Sequence, residues 1–188
     1  MSDRPFSPTV RAFVAVEVPA DPGRASRSPA PEHLTLLFLG EIPVERVPPI
    51  VTALALVGER SAPFDLTLEG VGAFPSAERP RVVWVGATEG AEALCGLAGR
   101  VRDALAAEGE PGRRDSFVPH LTLFRVRSAG DRRRAGELLS GVVAPPAPRR
   151  VRVREFVLKE SELSSRGATH RTLARFPLTG AVPPATTG

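Results

Sequence analysis

The tetrapeptide His-Leu-Thr-Leu occurs twice, starting at His33 and at His120, and each time a new apolar stretch opens 31 residues downstream, at Phe64 and at Val151. A repeated tetrapeptide followed by equal spacing argues that one supersecondary unit has been written twice. Each copy reads strand, helix, strand, strand. The strands come from stretches rich in Val, Leu, Phe and Thr at 12–18, 33–39, 64–71, 82–85, 120–126, 151–159 and 169–176. Helical spacing is clearest over 91–108, where Leu94, Leu97, Ala98, Val101 and Leu105 recur at three- and four-residue steps before Gly109. A second helix is expected over 44–60, with Pro48 and Pro49 in its first turns, and a third over 131–140, with Asp131 as cap and Gly141 as stop.

A duplicated unit of this kind predicts an α+β fold of two pseudo-symmetric lobes, with antiparallel-rich sheets around a central cleft and helices on the outer faces. The 188 residues suffice for a sizeable core and are expected to form one two-lobed domain. The first lobe is expected at 30–86 and the second at 117–178, with disorder over the first nine residues and 181–188. The single cysteine, Cys95, excludes an internal disulfide and a cysteine zinc site. No apolar run approaches the ~20 residues of a membrane helix, and Asp3 in a leader without an apolar core argues against secretion. A cytoplasmic monomer is the expectation.

Charge is uneven. Residues 1–112 carry a net −5, residues 113–154 a net +8, and the remainder +1. All basic residues but Lys159 are arginine, whose planar fork suits phosphate oxygens. For any single arginine a solvated surface position is the favoured reading, so position has to decide.

The chain has three histidines, and each is followed two positions later by threonine: His33 and Thr35, His120 and Thr122, His170 and Thr172. On a strand, residues i and i+2 share a face, so His33 and Thr35 project together while Leu34 and Leu36 turn into a core; His120 and Thr122 do the same in front of Leu121 and Leu123. Two imidazoles on opposite sides of a phosphorus atom suit in-line displacement, one accepting a proton and the other donating one. The threonine hydroxyls would hold the non-bridging oxygens. Neither motif has the acidic or histidine partner at i+3 or i+4 that builds a metal site, so no metal is expected. His170 is set apart because Arg171 stands where the other motifs have a core leucine, and it is expected to lie outside the site, on a strand matched in the first half by that of Trp84. Spacing leaves Arg125 open between a phosphate clamp and a solvated edge residue: parity opposes it to Thr122 unless a bulge re-aims it. Trp84, Phe38 and Phe124 are expected to fill cores, although an aromatic at the groove mouth could hold an RNA base.

The segments RAFVAVEVP, EHLTLLFLGEI, LEGVGAFPSAERPRVVWVGA, VPHLTLFRV and VREFVLKESELSSRGATHRTLARFPL together resemble the two-histidine phosphoesterases, in particular the RNA 2',3'-cyclic phosphodiesterase (2'-5' RNA ligase) family. The resemblance implies that His33 is the proton donor, His120 the proton acceptor, and Thr35, Thr122 and Arg125 phosphate-binding. It implies hydrolysis of a terminal RNA 2',3'-cyclic phosphate to a 2'-phosphate without metal or cofactor, and reversal to a 2'-5' linkage. Two departures stand out. Only 14 residues, with four prolines and a glycine, separate Val18 from His33, where members usually carry a helix and a strand, so a covering helix is not expected there. His170 replaces what is commonly a tyrosine. Two other readings stay open: a non-catalytic RNA-end binder using the basic 113–154 segment, and a phosphodiesterase for a small cyclic-phosphate nucleotide.

Overall fold

The structure, a computed structural model, describes residues 8–19, 32–110, 112, 117–164 and 167–181. In chain order these form β1 (Thr9–Val18), β2 (Glu32–Pro43), a 3-10 turn (Val44–Arg46), α1 (Val47–Glu59), β3 (Phe64–Phe74), β4 (Val82–Ala87), α2 (Ala91–Ala107), β5 (His120–Arg125), α3 (Ala129–Leu139), β6 (Arg149–Val153), β7 (Glu155–Ser164) and β8 (Gly167–Pro177). Thr9 already belongs to β1, so expected N-terminal disorder does not extend that far. Residues 1–7, 182–188 and the linker over 20–31 lie outside the described residues.

The fold is α+β, with two four-stranded antiparallel sheets ordered β2-β1-β7-β8 and β5-β4-β3-β6. The two orders match position by position from the motif strands outward: β2 with β5, β1 with β4, β7 with β3, and β8 with β6. This corrects the assignment by segment. The 30–86 range gives β2 to one sheet and β3 and β4 to the other, and 117–178 gives β5 and β6 to one and β7 and β8 to the other. It also corrects the partner of the His170 strand, β8, which corresponds to β6 and not to the Trp84 strand.

The stretch 151–159, expected as one strand, is two. Val151 and Val153 are buried on β6, Phe156 and Leu158 on β7, and the change from odd to even positions marks the break at Arg154 where the chain leaves one sheet for the other. Both sheets share one core. Leu34, Leu36, Val14, Val16, Phe156 and Leu158 from the first meet Leu66, Leu68, Val85, Leu121, Val151 and Val153 from the second. Helix α1 inserts Ile50, Leu54 and Val57, with Pro48 and Pro49 in its first turn, where an absent N–H costs nothing. Helix α2 buries all five residues of its apolar stripe. α3 starts earlier than expected because Ser128 caps it: its hydroxyl accepts from the Asp131 N–H at 3.1 Å, and the Asp131 carboxylate accepts from the Ser128 N–H at 3.0 Å. Asp131 is thus the third helical residue of a capping box and not the cap. Among the described residues no helix is long and apolar enough to cross a membrane.

Candidate active site

β2 and β5 are edge strands of their sheets and approach each other. Leu34 and Leu121 enter the same core, so by alternation His33 with Thr35, and His120 with Thr122, each project away from it on their own strand. All four side chains are half-buried there.

A bulge on each motif strand sets where the side chains beyond the threonine point. On β5, Thr122 pairs with Trp84, Phe124 with Val83 and Arg125 with Val82, leaving Leu123 as the extra residue. Val82 and Trp84 share a face of β4, so Arg125 returns to the face of Thr122 and His120. Arg125 thus stands on the same face as the histidine, exposed to solvent. On β2 the same slip occurs: Thr35 pairs with Ala15, Leu37 with Val14 and Phe38 with Phe13, with Leu36 extra. Leu36 and Leu37 both enter the core and Phe38 turns outward. A second slip leaves Leu39 unpaired beside Gly40, whose φ of +81° is available at low cost only to glycine. Phe38, expected in the core, is instead 44% exposed with its ring 5.8 Å from Phe13. Phe38 and Arg125 therefore hold equivalent places in the duplicated unit, one aromatic and one cationic. Phe124 faces the other way, under the Arg134 guanidinium of α3 at 4.5 Å.

His120 is held in a definite tautomer. Its Nδ1 lies 2.7 Å from the Val118 carbonyl oxygen, which can only accept, so Nδ1 carries the hydrogen and Nε2 of the neutral ring keeps its lone pair. Burial lowers its pKa, the Val118 bond partly restores it, and the Arg125 charge lowers it further, with a net displacement below the ordinary histidine value. The ring packs at right angles to Phe74 at 4.9 Å and lies 6.1 Å from Trp84. Trp84 is thus beside the site and not in the core. Its indole lies on Gly72, where a Cβ would come within 2.3 Å of it.

His33 lies 5.2 Å from the Phe13 ring and 5.1 Å from the ring of His170, the two imidazoles standing at 84°. His170, expected outside the site, comes from the far edge of the sheet and is 5.1 Å from Phe13 as well. The expectation fails because it weighs Arg171 against its neighbours in sequence, whereas β8 shows His170 and Thr172 to the face of Phe13. Beneath these rings Lys159, 3% exposed, donates to Glu17 and to Thr172 Oγ1 (3.1 Å), and Arg175 donates to Glu17 at 3.0 Å. Burial pushes the Glu17 carboxyl upward; the Lys159 bond and charge, with Arg175, outweigh it and hold its pKa below the ordinary carboxylate value. Sequence spacing carried no signal for this cluster, because Glu17 and Lys159 meet only across paired strands.

Among the described residues, four arginines of 113–154 pair within the molecule, Arg150 and Arg133 from largely exposed positions: Arg149 with Glu32 at 3.0 Å, Arg152 with Asp65 at 3.1 Å, Arg150 with Asp65 at 3.5 Å and Arg133 with Glu137 at 3.8 Å. Arg125 is different in standing on the face of the histidines. Among the described residues no three His, Cys, Asp or Glu side chains gather in a metal-binding group.

Comparison with known proteins agrees with this layout. Residues 5–163 match the 2'-5' RNA ligase superfamily. The chain is 34% identical over 157 residues to the RNA 2',3'-cyclic phosphodiesterase of Aquifex aeolicus, covering 79% of this chain and 78% of that protein. It is 38% identical over 148 residues to the protein of the same name from Archaeoglobus fulgidus, covering 77% and 78%. The crystal structure of TT0787 from Thermus thermophilus superposes with a TM-score of 0.68 at 30% identity, over 90% of this chain and 98% of that one. Escherichia coli LigT complexed with 3'-AMP does so with a TM-score of 0.65 at 30% identity, over 92% and 99%. With its duplicated motif strands set edge to edge and the match running through both of them, this chain belongs to the 2'-5' RNA ligase superfamily.

Proposed function

We propose that this chain is an RNA 2',3'-cyclic phosphodiesterase that opens a terminal cyclic phosphate to a 2'-phosphate by paired-histidine acid and base catalysis, without a metal. His120, its Nε2 lone pair free while Nδ1 bonds Val118, takes the proton of the attacking water. The water oxygen bonds to phosphorus, the bond from phosphorus to O3' breaks, and O3' receives a proton from His33. The 2'-oxygen keeps the phosphate. Thr35 and Thr122 donate to the non-bridging oxygens, and the Arg125 guanidinium stabilises the charge that gathers on them in the transition state. Phe38, half exposed over Phe13, offers a face on which the terminal base can stack. With an RNA 5'-hydroxyl attacking in place of water, the same groups would break the bond to O3' and form a 2'-5' linkage.

The observation that carries this reading is the His120 tautomer, because a ring fixed by Nδ1 and kept neutral by burial is prepared as a base and not as an acid. The test is incubation of cyclic-ended RNA with protein in excess chelator, followed by identification of the hydroxyl that keeps the phosphate. The expected product is a 2'-phosphate, with His33→Ala and His120→Ala each slower by about 10²–10⁴-fold. A 3'-phosphate product would reverse the assigned roles, and turnover surviving both substitutions would end the reading.

A further inference from the structure

A strand fixes where a histidine Cβ points but leaves the ring plane loose, since the terminal torsion of His is broad and roughly two-fold. For His120 the Val118 carbonyl selects the plane. On the His33 side, packing contributes to that selection: the Phe13 ring meets it at 5.2 Å and 40°, and the His170 ring at 5.1 Å and 84°. We propose, building on the function above, that His170 is a positioning residue for His33, its ring wedged edge-to-face against Phe13 and His33 so that the His33 imidazole keeps the orientation from which it serves the leaving oxygen.

The placement is specific. β2 and β8 are opposite edges of one sheet, and their two imidazoles meet over Phe13, itself buried at 2% exposure. His170 packs there edge-to-face against both rings, and its buried Nδ1 has no hydrogen-bond partner among the described residues. That nitrogen is best tolerated as a bare lone pair, with the hydrogen on Nε2. Burial first, and the Lys159 charge second, lower the His170 pKa. The ring packed against His33 is thereby favoured in its neutral form.

The test compares His170→Ala, which removes the ring, with His170→Phe, which keeps its shape and packing without its nitrogens. With cyclic-ended RNA, His170→Ala should lower kcat by roughly tenfold or more while KM stays within about twofold, misplaced catalytic groups costing up to ~10²-fold, and His170→Phe should recover most of kcat. The chain has three histidines, so imidazole NMR resolves the site without substrate: His33 signals should broaden or average in His170→Ala and stay sharp in His170→Phe. Wild-type kcat in His170→Ala, or equal impairment in both variants, would overturn the proposal, the latter by pointing to a polar contact with substrate. If the wild-type protein leaves cyclic-ended RNA unchanged, the proposed function fails on its own. The NMR comparison then still decides the positioning role, and a His33 ring indifferent to His170→Ala refutes it.

Discussion

Replacing Lys159 by Met removes a buried ammonium while keeping most of its aliphatic length, so the perturbation falls on the ion pair and not on packing. Lys159 donates to Glu17 and Thr172 in a setting where it is 3% exposed and the Glu17 side chain 14% exposed. Stripping one partner from a buried pair costs about 3–5 kcal/mol. Arg175 remains on Glu17 Oε2 at 3.0 Å from a half-exposed position, which softens the loss to about 2–3 kcal/mol, or roughly 4–12 °C in melting midpoint for a domain of this size. The sign with pH comes from Glu17. Its folded pKa lies below the ordinary value, so the pair's contribution is present above the unfolded value of about 4.3 and is lost as pH falls through the folded one. Thermal unfolding followed by circular dichroism should therefore show a wide gap between Lys159→Met and wild type at pH 7, closing in acid. Adding Glu17→Gln should restore part of the lost stability, because no carboxylate is then left buried. A midpoint within a degree of wild type at pH 7, or a gap that does not close in acid, would refute the reasoning.

Two further outcomes test the site. The acid limb of kcat/KM belongs to His120 and should lie below the ordinary histidine value; Arg125→Ala, which removes a charge opposing protonation of that ring, should move the limb upward and raise KM, and a stationary limb would mean that Arg125 does not share the face of His120. Gly72→Ala places a methyl 2.3 Å from the six-membered ring of Trp84, and overpacking of this kind costs about 1–3 kcal/mol. As Trp84 is the chain's one tryptophan, its emission should shift along with a lower melting midpoint, and an unchanged spectrum would place the indole elsewhere.

The HLTL pair, its alternation and the equal spacing were enough to identify the duplicated unit, the strands bearing His33 and His120, the core leucines behind them and the apolar stripe of α2, because these depend on periodicities of two and 3.6 that a chain carries locally. Strand pairing was beyond their reach. Neither the exchange of strands between sheets nor the break at Arg154 can be derived from spacing alone, although the shift of buried positions from Val153 to Phe156 records the break. The bulges at Leu36 and Leu123 turn Phe38 and Arg125 onto the site's face, and a bulge exists only relative to a partner strand. His170 and the Glu17–Lys159 pair are further cases, each joining residues more than a hundred positions apart: His170 reaches His33 from the opposite edge of the sheet over Phe13, and Glu17 meets Lys159 across the paired strands β1 and β7. Local pattern thus determined which residues face away from the core, while long-range pairing alone decided which of them meet, since contact across a sheet is set by register and curvature and not by separation along the chain.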